Sequence, residues 1–314
     1  MSETTHDSAV VVSAPPSPDG GLSAAELAGK YGLSVSGARP SLREYARQLW
    51  ARRHFILAFS RAKLTAQYSQ AKLGQIWQVA TPLLNAAVYY LIFGLLMDSK
   101  RHVGDGTPQA FIPFLVTGVF VFTFTQSSAM AGVRAISGNL GLVRALHFPR
   151  AALPVSFALQ QLQQLLYSMV VLLAIVVGCG HMPRLSWLMI IPALVCQFFF
   201  NTGLAMVLAR LGSKTPDLAQ LLPFVLRTWM YMSGVMYPLI NNLKRMHASP
   251  WVVDLISSNP AAVYIDLMRF SLMGHIKGAP LPQHVWPLAI GWAVVLGIGG
   301  FVYFWKAEEQ YGRG

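Results

Sequence analysis

Apolar residues fall along this chain in six long runs, five of them free of charge and one broken by a single arginine. The runs are Leu73 to Met97, Gly106 to Val133, Ala151 to Pro183, Leu185 to Ala209, Leu218 to Leu243 around Arg227, and Gly278 to Trp305. A helix rises ~1.5 Å per residue and the hydrocarbon core of a bilayer is ~30 Å thick, so about 20 apolar residues cross it. Every run exceeds that length. The pattern predicts an all-α integral membrane protein whose six transmembrane helices occupy 76–97, 110–130, 153–178, 186–209, 219–238 and 286–305, within a domain over 73–305.

A different period precedes the first run. Over 41–64, Leu42, Tyr45, Ala46, Leu49, Trp50, Ile56 and Leu57 gather on one arc of a helix, with Arg43, Arg47, His54 and Arg61 beside it. This is the pattern of an amphipathic helix lying in the membrane interface. Ser41 and Glu44 make a capping box at its start. Arg53 falls within the apolar arc and Arg52 at its edge, so both must snorkel or find an acidic partner.

Two connecting segments also stand out: 137–150 is too apolar for a solvated connector, and 238–283 is long and partly apolar, with a solvated cap as its alternative reading. In 137–150, Leu142, Val143, Leu146 and His147 share a face of a short helix that Pro149 ends, an apolar knob with a basic rim. In 238–283, two short helices over 251–256 and 261–273 are broken at Asn259-Pro260, with Asp266 and Arg269 spaced for a local ion pair. Residues 1–40, rich in Ser, Ala, Gly and Pro, read as a disordered tail without the basic start and apolar core of a secretory signal. Residues 306–314 form a second tail.

Composition agrees. The chain is 54% hydrophobic and 11% charged, with a mean hydropathy of +0.47, where a soluble domain carries about 25% charged residues. Cys179 and Cys196 both lie in predicted spans, which leaves neither a disulfide framework nor a metal site. The net charge of +12 is explained by its placement rather than by nucleic acid. Sixteen Lys and Arg precede the first span or lie in the second-to-third loop, the fourth-to-fifth loop and the last tail, against seven in the alternate connections. Positive residues favour the cytoplasmic side, so both termini are expected there, facing cytosol and anionic lipid.

Polar side chains within spans are the candidates for a transport pathway, because burying amides in hydrocarbon is costly unless they pair or meet water. Thr81, Asn85 and Tyr89 share a stripe of the first span; Gln126 lies in the second, and Gln160, Gln161, Gln163 and Gln164 surround much of the third. Gln197 and Asn201 share a face of the fourth. Trp229 and Tyr231 offer aromatic faces to sugar rings beside Arg227, a cation that costs at least ~2.5 to 3.5 kcal/mol at the bilayer centre and so demands a partner, a wet cavity or an anionic substrate. Amides in spans also serve simply to join helices, and that alternative stays open for each residue.

Four segments in order carry a family resemblance: Tyr68-Ser69-Gln70-Ala71-Lys72-Leu73-Gly74-Gln75-Ile76-Trp77 before a span containing Pro82; Phe148-Pro149-Arg150; Ser233-Gly234-Val235-Met236-Tyr237-Pro238; and Asn259-Pro260-Ala261-Ala262-Val263-Tyr264-Ile265-Asp266. The chain from Ser41 onward resembles the permeases of type-2 ATP-binding-cassette exporters, in the subgroup that exports lipid-linked polysaccharides such as O-antigens, teichoic acids and galactan. The resemblance implies a homodimer in a bacterial cytoplasmic membrane, paired with two copies of a separate nucleotide-binding ATPase and moving a polyprenyl-diphosphate-linked glycan. It further implies that Tyr45, Arg47, Leu49 and Arg52 of the surface helix, and Leu142, Arg144, Leu146, His147, Phe148 and Arg150 of the loop helix, couple to that ATPase. Asn259, Pro260, Tyr264, Asp266 and Arg269 would belong to re-entrant external helices that act as an outer gate.

The residues agree in one respect: no GxxxxGK[ST] phosphate cradle occurs, so ATP and its Mg would sit on another polypeptide and this chain binds no cofactor and has no catalytic residue. An exporter of a drug or small amphiphile is the main alternative. A membrane-embedded glycosyl- or phosphotransferase would need acidic residues near the interface, and Asp98, Asp105, His102, Asp254 and Asp266 form no recognised motif. A pathway working without ATP is the remaining class.

Overall fold

A computed structural model of the 314-residue chain describes residues 40–97, 106–146, 148–240, 249–274 and 284–311, with isolated positions outside those runs. Most of the expected N-terminal tail, His147, Asp98, His102, Asp105 and residues 275–283 and 312–314 lie outside the described residues. The chain divides into a unit of residues 1–39 and one of residues 40–314; the second carries the architecture that follows.

Eleven α-helices occur among its described residues: α1 Leu42–Ala51, α2 Arg53–Gln67, α3 Trp77–Tyr89, α4 Pro108–Val133, α5 Leu140–Ala145, α6 Ala152–Gly178, α7 Ile190–Lys214, α8 Leu218–Met232, α9 Pro250–Ser257, α10 Pro260–Met273 and α11 Val285–Trp305. No strand occurs among the described residues. Among the described residues, five segments are long and apolar enough to cross a membrane: 77–96, where α3 continues as a π-helical segment Tyr90–Leu96, then α4, α6, 185–214 including α7, and α11.

The expected fifth span, 219–238, takes another form. α8 has 15 residues, about 22 Å at 1.5 Å per residue, and ends in a turn at Ser233–Tyr237. Gly234 adopts a left-handed φ of 64° there. The carbonyls of Gly234 and Val235, which a continuing helix would offer to its own next turn, accept instead from the Arg269 guanidinium at 3.0 and 2.7 Å. A left-handed glycine thus ends the helix, and a tertiary contact satisfies the carbonyls beyond it.

The interface helix also departs from a single rod. Ser41 Oγ accepts from the Glu44 amide at 3.3 Å as the cap predicts, but the helix breaks at Arg52 into α1 and α2. The break changes which residues turn inward: Tyr45 from α1, then Ile56, Ser60 and Leu64 from α2, while Trp50 stays 72% exposed. Arg53 stays with its neighbours, donating to the Trp50 carbonyl and lying over its ring.

α4 forms the centre, with phenylalanines 111, 114, 120, 122 and 124 all buried, and packs against α3, α6, α7 and α8. α11 lies along α7, and Gly203 and Gly300 let the two backbones touch: a Cβ on Gly203 would stand 1.9 Å from the Leu296 carbonyl oxygen. α10 is not a solvated cap. It inserts among α4, α7 and α11, with eleven of its residues buried.

Candidate functional site

The two elements expected to meet an ATPase come together. Tyr45 and Val143 share a buried cluster with Ala151, Leu153, Phe304 and Tyr311, flanked by Leu49, Leu142, Phe148, Phe301 and Trp305. This cluster sorts the expected contact residues into two groups. Arg47, Arg52, Arg144 and Leu146 are exposed, Leu146 by 50% of its surface, with Arg47 paired to Glu44 at 2.5 Å. Tyr45 is 1% exposed and cannot touch a separate subunit, so it positions α1 instead. Phe148 packs on the Phe55 ring at 5.3 Å, and Arg150 is half-buried against Glu308.

Glu308 is the residue that sequence reasoning missed at this end. Its carboxylate accepts from the Tyr45 hydroxyl at 2.7 Å and from the Arg150 amide at 3.0 Å. Burial pushes the Glu308 carboxyl above the usual carboxylate range, and the hydrogen bonds from Arg150 and Tyr45 oppose that rise. The Tyr45 hydroxyl is pushed well up by burial and by the neighbouring carboxylate. The one sequence signal was an acidic pair, Glu308-Glu309, at the end of the last apolar run.

Three of the four third-span glutamines bond toward α2 and the residue after it. Gln160 donates to Gln67 at 3.0 Å, Gln163 to the Ser60 hydroxyl at 3.2 Å, and Gln164 to the Tyr68 hydroxyl at 3.4 Å. They fasten the interface helix to α6. Between α3, α4 and α6 lies a cavity of about 20 Å³ lined in part by Gln78, Thr123, Ser127, Gln161, Gln164 and Ser168. That volume admits a water, which needs roughly 10–15 Å³, and not a sugar ring. Asn201 is fully buried within the protomer, and Gln197 donates to the Val121 carbonyl and Thr125 hydroxyl. Neither offers a passage.

A second polar set faces outward. Thr81 and Asn85 on α3, and Arg227, Thr228 and Tyr231 on α8, are exposed on the protomer surface amid Leu84, Val88, Leu221 and Phe224. Tyr89 joins the two helices, its hydroxyl 3.8 Å from the Met230 sulfur and within electrostatic reach of Arg227 and Tyr231. Gln126 is half-buried on an accessible stripe of α4 with Thr123, Ser127 and Met130. Trp229 leaves this set: its indole N–H donates to Asn259 at 2.6 Å and its ring meets Phe122 edge-on.

The external helices are held by polar bonds. Asn259 caps α10 by accepting from the Ala261 amide at 3.2 Å, and donates to the Ser233 hydroxyl at 2.9 Å. Pro260 occupies the first turn, where its missing N–H costs nothing. Tyr264 donates to the Ala289 carbonyl at 2.8 Å. Arg269 is 3% exposed, donates to Phe114, Gly234 and Val235 carbonyls, lies 3.4 Å over the Phe114 ring, and pairs with Asp266 at 3.4 Å as its spacing predicts. No cluster suited to a metal occurs among the described residues.

Two relatives match this arrangement in sequence. The O-antigen export system permease protein RfbA of Klebsiella pneumoniae is 27% identical over 183 residues, 58% of this chain and 68% of that protein. The polysialic acid transport protein KpsM of Escherichia coli is 24% identical over 253 residues, 79% of this chain and 92% of that protein. The profile of the ABC-2 type transporter family matches residues 54–273, from the interface helix through the last residue of α10, and the chain belongs to that family.

Proposed function

We propose that this chain is the permease subunit of an ATP-driven exporter that moves a polyprenyl-diphosphate-linked polysaccharide across a bacterial cytoplasmic membrane, both termini facing the cytosol. It works as a homodimer with two copies of a separate nucleotide-binding ATPase, which holds the ATP and Mg. The relatives named for O-antigen export and polysialic acid transport support the cargo class.

One observation carries the route: Thr81, Asn85, Arg227 and Tyr231 are exposed on the protomer surface, while the cavity between α3, α4 and α6 has room only for water. Against lipid, an exposed guanidinium is costly; against a second protomer and a wet, anionic cargo it is favourable. The hydroxyls and amides of this stripe exchange hydrogen bonds with sugars in either direction, and Arg227 receives the diphosphate. On the cytosolic side, Arg47, Arg52, Arg144 and Leu146 dock the ATPase, and closure of the ATPases rocks α1 and α5.

The test is affinity purification from native membranes in mild detergent, with mass spectrometry of co-eluting proteins and lipids. A stoichiometric ATPase and a polyprenyl-linked glycan are expected. Leu146→Asp should release the ATPase and leave membrane insertion intact. Recovery of a small amphiphile in place of the glycan would move the protein to the drug-exporter class, and no ATPase at all would sink the reading.

A further inference from the structure

We propose that the segment Trp305–Tyr311 is a clasp that makes α1 and the α5 loop one lever, with Tyr45 and Glu308 as its positioning residues. The inference rests on the reading that these two elements receive the ATPase.

Three stretches remote in sequence meet at one carboxylate. The Tyr45 hydroxyl, from α1, donates to Glu308 Oε2 at 2.7 Å and accepts from the Ala151 amide, at the end of the α5 loop, at 3.0 Å. The other carboxylate oxygen accepts from the Arg150 amide at 3.0 Å, and the Arg150 guanidinium donates to the Glu308 carbonyl. Each bond crosses between elements.

The surroundings hold the segment in place. Tyr311 stacks on Phe304 at 4.6 Å and donates to its carbonyl at 3.2 Å. Tyr45 packs on Phe301 of α11 at 5.6 Å, and the Trp305 indole N–H donates to the Pro40 carbonyl, just before α1, at 2.9 Å. The site is closed: Tyr45 and Tyr311 are 1% and 2% exposed, and Glu308 9%.

Buried groups of this kind give the clasp its stiffness. Sliding α1 against the α5 loop would leave a carboxylate, a phenol and an amide unpaired in an apolar cluster, which is costlier than never having buried them. A push on either ATPase-facing element therefore reaches α6 through Ala151 and α11 through Glu308 together. Without the clasp, α1 is joined to the bundle by apolar contacts, which are non-directional.

Hydrogen exchange on the full-length chain in lipid nanodiscs tests the clasp without any cargo. Tyr45→Phe keeps the ring and deletes both hydroxyl bonds; Glu308→Ala deletes the carboxylate. Each should raise exchange over 42–51 and 140–152 by about tenfold, the scale of one lost charge-assisted bond, with α4 and α7 unchanged. The double variant should do no more than the stronger single, and Glu308→Gln should restore part of the protection. Unchanged exchange in 42–51, or strictly additive effects, would overturn the clasp. Tyr45→Phe decides if Glu308→Ala loosens the spans as well.

In the purified complex with its ATPase, the same variants should retain the ATPase and hydrolyse ATP while exporting several-fold less glycan per ATP. An unchanged export-to-hydrolysis ratio would overturn the lever. Failure of the unmutated chain to bind any ATPase would sink the export reading instead, with the exchange pattern still deciding the clasp.

Discussion

Arg227 and Arg269 both interrupt apolar sequence in the C-terminal half of the chain, and the structure treats them oppositely. Arg269 is buried, with its guanidinium donating to three backbone carbonyls and to Asp266, and its plane lying over Phe114. Arg227 is exposed on the protomer surface. A cation in hydrocarbon requires compensation. Arg269 obtains it inside its own chain, and Arg227 must obtain it from beyond the protomer. The same division separates the amides. Gln160, Gln163 and Gln164 bond to α2 and the residue after it, whereas Asn85 lies on the outer stripe with Arg227. Polar residues of one type thus divide into those bonded within the protomer and those exposed on its surface, and the proposed pathway draws on the second group.

The largest effect expected from this division is on folding. Arg269→Met leaves the Phe114, Gly234 and Val235 carbonyls and Asp266 without their donor, and should cost about 3–5 kcal/mol. Arg227→Met should stay within about 0.5 kcal/mol, as exposed substitutions do. Unfolding of both variants in the same detergent checks this, and equal losses would break the comparison.

Next comes transport, where the order reverses. Arg227→Met should reduce glycan export about 10- to 100-fold through one lost charge-assisted contact, with ATPase binding intact. Export assays on membranes carrying matched amounts of protein measure it; normal export would remove Arg227 from the pathway.

The smallest effect sharpens the contrast among amides. Gln160→Leu and Gln164→Leu should each cost roughly 0.6 kcal/mol, the usual worth of a hydrogen bond between membrane helices, and raise hydrogen exchange over 53–67. Asn85→Leu should leave that segment unchanged. Loosening by Asn85→Leu would show that the two sets are not distinct.

Much of the fold was legible beforehand. The first four spans and the last appear within a few residues of their expected bounds, because an apolar run of that length has few other stable states. The paired external helices broken at Asn259-Pro260 are found as expected, Pro260 starting α10 under an Asn259 cap. Over the fifth expected span the helix runs only to Met232: the left-handed Gly234 and Pro238 follow it, and Arg269, more than thirty residues away, takes the carbonyls of the turn. The break at Arg52 escaped notice because a helical wheel assumes one continuous phase. Glu308 escaped because an acidic residue near a chain's end looks the same whether it is solvated or buried between two helices.

Sequence alone determined the class of solvent, the number of apolar runs, the interfacial period before them and the family. These depend on local composition summed over many residues, which no tertiary contact reverses. Tertiary structure decided which polar side chain has a partner. That depends on distances between residues tens to hundreds of positions apart, such as Tyr45 to Glu308 or Gln67 to Gln160, and periodicity along a single helix contains no information about the surface it meets.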